Sequence, residues 1–129
     1  MRRAGFWLVL LVWGAPAAFA AVGPCTETTE VVGTAGVMTT TSLSSRPARL
    51  CGVHFIVNNA GGGGFCQVFD SPDSTDVAHA QSRIIAEPGG TAAGDADHAW
   101  FGDNGYPTRF GLGVVAAGGR CIVHYGMAP

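Results

Sequence analysis

The chain has 129 residues, of which 12% are charged, and a formal net charge of −2. That length suits one domain with a modest core. The cations are all arginine, and the weakly acidic balance argues against nucleic acid and anionic membrane surfaces, which select basic partners.

The chain opens with an export signal. Arg2 and Arg3 form a positive region, residues 6–12 (FWLVLLV) an apolar one, and Ala18-Phe19-Ala20 a small-x-small cleavage motif. The expected cut follows Ala20 and leaves one domain over residues 21–129. The apolar run falls short of the roughly 20 residues that span a bilayer. An uncleaved anchor is the alternative reading. After the cut, five arginines face nine carboxylates, a formal balance of −4. Cys25, Cys51, Cys66 and Cys121 all follow the cleavage motif. Four cysteines in an exported chain predict two disulfides, with three possible connectivities.

Residues 25–45 are rich in Thr and Val and interrupted by Gly33 and Gly36. They predict one or two short strands at a sheet edge. Pro47 leads into a strand over residues 48–57. Alternation puts Cys51, Val53, Phe55 and Val57 on one face and Gly52, His54 and Ile56 on the other. Residues 58–64 (NNAGGGG) read as a mobile hairpin loop, and residues 65–69 as the returning strand. The four glycines lack the Lys-Ser/Thr of a phosphate loop.

Asp70, Asp73, Asp76 and His79 then recur at every third position. The three carboxylates are calcium candidates, because clustered carboxylates suit a hard cation. Turn chemistry accounts for the same residues, with Ser74, Thr75 or Asp76 capping a short helical turn. Residues 83–87 (RIIAE) predict a strand ended by Pro88-Gly89-Gly90. Residues 89–108 carry many turn signals around one apolar island, Ala99-Trp100-Phe101. Asp95, Asp97, His98 and Trp100 are the candidate binding residues there, although loop solvation explains the acids and a core or loop anchor explains Trp100.

Residues 109–117 (RFGLGVVAA) and 120–126 (RCIVHYG) flank Gly118-Gly119, the pattern of a tight hairpin. In that register Ala116, Val114 and Leu112 face Cys121, Val123 and Tyr125. With Phe110 they form one apolar face, opposite Arg120, Ile122 and His124. The pentapeptide Cys121-Ile122-Val123-His124-Tyr125 matches Cys51-Gly52-Val53-His54-Phe55. Two Cys and two His suggest zinc, but residues i and i+3 of a strand point to opposite faces, so no such site is expected. The same geometry puts both cysteines on core faces. It favours Cys51–Cys121 with Cys25–Cys66 among the three pairings. The histidines are then outward strand residues.

The order of an apolar strand ending in Asn (VHFIVNN), a glycine-rich gap, CQVFDSPD, a loose middle, RFGLGVV and a closing IVHY resembles small β-sandwich proteins of tailed-bacteriophage virions, of the head-decoration and tail-accessory kind. The resemblance covers residues 48–125 and implies a non-enzymatic, repeated surface subunit. The export signal and the cysteines are additional to that pattern. The expected fold is an all-β antiparallel sandwich of six to eight short strands, jelly-roll or immunoglobulin-like, with two disulfides. No Gly-x-Ser-x-Gly or His-Glu-x-x-His motif occurs, so a non-enzymatic structural or interaction module is expected outside the cytoplasm. Its expected partners are copies of itself or a surface or virion scaffold, and it needs no cofactor. A secreted glycan- or metal-binding module is the second reading, and a small secreted hydrolase the third.

Overall fold

The computed structural model describes residues 25–72 and 83–127. Ten strands and no helix lie among them. They are β1 (Glu27–Val32), β2 (Thr39–Ser44), β3 (Ala48–Val57), β4 (Gly64–Phe69), β5 (Ile84–Ala86), β6 (Gly89–Gly90), β7 (Ala96–Trp100), β8 (Tyr106–Pro107), β9 (Leu112–Ala117) and β10 (Gly119–Met127). The first sheet has the order β1-β10-β3-β7, with β8 also on β3. The second has the order β2-β9-β4-β5, with β6 also on β4. Every pairing is antiparallel. The fold is thus the expected disulfide-stapled β-sandwich. The excess over eight strands comes from the two- and three-residue pieces β5, β6 and β8.

Period-two alternation builds the core. Leu50, Val53, Phe55 and Val57 of β3 and Cys121, Val123 and Tyr125 of β10 pack against Cys66 and Val68 of β4 and Leu112, Val114 and Ala116 of β9. β1 and β2 lie at sheet edges, as the Thr-rich composition suggested. β7 was not expected as a strand. Ala-Asp-His-Ala-Trp has no β-branched residue, and its pairing with β3 supplies what propensity does not.

Both expected hairpins are corrected. β9 and β10 do not pair, and neither do β3 and β4, because each pair divides between the two sheets. The residues assigned to one apolar face do meet, but across the sandwich. Leu112, Val114 and Ala116 lie in the second sheet, and Cys121, Val123 and Tyr125 in the first. Phe110 is not among them: it is 45% exposed. The chain turns away from the strand there, where the Asp70 carboxylate accepts the backbone N–H groups of Arg109, Phe110 and Gly111 at 2.8, 2.8 and 3.2 Å.

The glycines follow from this topology. The connections β1–β2, β3–β4, β6–β7 and β9–β10 all pass between sheets, and they meet at one end. Asn58 N–H donates to the Gly118 carbonyl at 3.0 Å, and Gly118 N–H to the Thr34 carbonyl at 3.2 Å. Backbone packs directly on backbone. A Cβ at Gly33 would sit 2.4 Å from the Ala116 carbonyl oxygen, and one at Gly64 would sit 2.5 Å from that of Ala117. Gly118 turns the corner with φ of 66°, a conformation that glycine adopts without steric cost.

The disulfides are Cys25–Cys51 and Cys66–Cys121, with Cα–Cα distances of 6.0 Å in both. The expected pairing of Cys51 with Cys121, and of Cys25 with Cys66, is corrected. β3 and β10 are neighbours in one sheet, and Cys121 stands opposite Phe55, four residues from Cys51. At about 3.3 Å per residue that separation is near 13 Å, well beyond bonding reach. In addition, Tyr125 pairs with Leu50 and His124 with Gly52, so Cys51 is the extra residue of a β-bulge. Leu50 takes the core position, and Cys51 lies outside the core cluster. Cys121 keeps its core position and bridges the sheets to Cys66. Two such bonds suit an oxidising, extracytoplasmic compartment.

Candidate functional site

Antiparallel register brings the outward residues of the first sheet into rows. One row is Thr28, His124, Gly52 and Trp100, and the next is Glu30, Ile122, His54 and His98. Trp100 was read as a core or loop anchor. It lies instead on this outer face, 60% exposed. Its ring rests on Gly52, where a Cβ would meet Cε3 at 2.4 Å and Cζ3 at 2.8 Å. The backbone of β3 is therefore the seat of the indole.

His54 and His98 stack across the strands, with centroids 6.4 Å apart and planes 16° from parallel. His124 Nδ1 shares a hydrogen bond of 3.0 Å with Thr28 Oγ1, which sets the ring's orientation. Trp100 and the three histidines, with Gly52, surround a shallow cavity of about 160 Å³. The other residues of the apolar island behave differently: Ala99 and Phe101 pack against the core.

The acidic candidates serve the backbone. Asp95 Oδ2 accepts N–H groups of Thr91 at 2.9 Å and Ala92 at 3.0 Å, which hold its carboxyl below the usual 3.8. Asp97 Oδ2 accepts Gly89 N–H at 3.2 Å, and Oδ1 accepts His98 N–H at 2.9 Å. Asp70 is filled by its three amides. Asp73, Asp76 and His79 lie outside the described residues. At the β1 end of the second row, Glu30 forms a bidentate pair with Arg120 at 2.7 and 3.2 Å. The Arg120 hydrogen bonds hold the Glu30 carboxyl below the usual 4.5 and raise the guanidinium in turn. Among the described residues no group of three or more His, Cys, Asp or Glu could hold a metal ion.

Trp100 and His98 are among the candidate binding residues of the sequence, and His54 and His124 are not. His54 and His124 were read correctly as outward, but nothing in the sequence gives the register that places them beside Trp100. The available signal was Gly52, a mid-strand glycine of the kind that marks a close approach.

A larger depression of about 600 Å³ lies at the glycine-rich end, between Met38, Phe65, Gly63, Gly90 and Gly118. No charged residue or histidine lines it. Val37 and Met38 beside it are 58% and 60% exposed. No family model, no curated protein and no solved structure matches the chain.

Proposed function

We infer that the protein is a non-enzymatic subunit of a repeated surface assembly outside the cytoplasm, of the kind found on virions or cell surfaces, and that copies join through the edge of β2. The observation that carries this reading is how unevenly the sheet edges are guarded. An uncovered edge offers unpaired N–H and C=O groups to another strand, and natural sheets block it with charge, proline, brevity or cover. β1 carries Glu27 and the ion pair of Glu30 with Arg120, charged groups that another strand would have to desolvate. β7 carries Asp97 opposite inward-facing Phe55, an inward charge on an edge strand. β5 and β6 are three and two residues long.

Among the described residues β2 carries no charge, no proline and no second strand, and the Pro72 carbonyl accepts a hydrogen bond from Ser42 Oγ at 2.9 Å. It is six residues long and pairs only with β9. It sits in the uncharged run of residues 31–45, with exposed Val37 and Met38 just before it. Two copies can approach there without charge repulsion and bury both apolar side chains. Three of the described acids, Asp70, Asp95 and Asp97, are each engaged by backbone amides, a structural use that fits this reading.

Light scattering across a concentration series tests the reading. The expected result is a mass above that of the monomer. The double variant Met38→Lys, Thr40→Lys should return it to monomer with an unchanged melting temperature. A wild-type protein that stays monomeric at the highest concentration overturns it.

A further inference from the structure

We propose that the Trp100–His54–His98–His124 face is a binding site for one ring of a neutral saccharide, independent of the β2 edge. The geometry supplies both halves of such recognition. A pyranose has a face of C–H groups and a rim of hydroxyls. Trp100 offers an exposed aromatic ring whose six-membered edge closes on Gly52, and stacking suits C–H groups that meet the electron-rich ring face. The histidines offer the rim. A neutral imidazole carries one donor and one acceptor, as a hydroxyl does. The Thr28 bond leaves Nε2 of His124 for a ligand.

The alternatives fit less well. A cation would want a carboxylate, but none lines the cavity, and Glu30, across Ile122 from His54, is committed to Arg120. No three-ligand metal group exists among the described residues. The cavity of about 160 Å³ is below the range of about 300–1,000 Å³ for drug-sized ligands, and it suits a single ring. One ring on an open face buries little surface, so binding is expected to be weak and to be read at high sugar concentration.

The test is a titration of the full chain, disulfides intact, with methyl β-glucoside, methyl β-galactoside, methyl α-mannoside and N-acetylglucosamine, followed by nuclear magnetic resonance. Saturable shifts are expected at the Trp100 indole N–H and at the ring protons of His54, His98 and His124. Trp100→Ala should raise Kd about tenfold or abolish binding, consistent with loss of one aromatic contact, while Trp100→Phe retains part of it. Gly52→Ala should weaken binding by unseating the ring, and it serves as the second variant should Trp100→Ala not fold. Three results would each overturn the proposal: no saturable shift with any of the four sugars, shifts that persist in Trp100→Ala, or shifts produced by zinc or a sulfated sugar alone.

Discussion

At the scale of single residues, glycine decides where aromatic rings can lie. Strand glycines lie against rings from neighbouring strands in both sheets: Gly52 under Trp100 and Gly119 against Phe55 in the first, and Gly113 under Phe69 in the second. The contrast between Trp100 and Phe69 is the informative one. The rings differ in freedom, for Trp100 is largely exposed and Phe69 is buried. The same substitution should therefore cost different amounts. Gly113→Ala places a Cβ 2.6 Å from the Phe69 ring, and overpacking of a buried ring should destabilise by about 1–3 kcal/mol. Gly52→Ala displaces a ring that can swing into solvent and should cost under about 1 kcal/mol, within the range of ordinary surface changes. Urea denaturation of the two variants checks the ranking. Neither ring position was legible in the sequence, because the pairing of Gly52 with Trp100, 48 positions on, depends on strand order.

At the scale of elements, the connections carry the lesson. Gly-Gly between apolar runs is a sound hairpin signal, and it correctly separates two strands, β9 starting three residues later than the apolar run and β10 matching within a residue. The partner was wrong, since the same local turn can return a strand beside its predecessor or send it to the facing sheet. Core demand decided it. Both runs bury one full face, and two such faces can be dried against each other only from opposite layers. The glycines at this end divide accordingly. A Cβ at Gly64 would meet the backbone oxygens of Ala117 and Gly118 at 2.5 and 2.7 Å, whereas one at Gly62 would meet only the Asn59 side chain at 3.6 Å. Gly64→Ala should cost about 3 kcal/mol, because neither carbonyl can retreat without breaking the corner. Gly62→Ala should be neutral or stabilising by up to about 1 kcal/mol through the unfolded chain. Thermal melts that gave the two variants equal stability would contradict the crossing arrangement.

At the scale of the whole molecule, the disulfides do different work. Cys66–Cys121 joins the sheets across 55 positions of chain, and Cys25–Cys51 ties the segment before β1 to β3 across 26. Loop-closure entropy puts the first near 4 kcal/mol and the second near 3.5, by a model-dependent relation. Replacing Cys66 and Cys121 with alanine should therefore lower stability more than replacing Cys25 and Cys51, and it also removes two side chains from the core. Denaturant unfolding of the two double variants measures this, and non-reducing peptide mapping checks the pairing itself. By itself, the sequence determined the sandwich class, the positions of β3, β4, β5, β9 and β10, the outward His54 and His124 and the number of bridges, because alternation and cysteine count are local or additive properties. Tertiary structure alone decided which strands are neighbours, which cysteines meet, and that Trp100 lies among three histidines. Those outcomes depend on sheet order and on a one-residue bulge at Cys51. Both are settled by which apolar faces can close on each other, which is a property of the assembled layers.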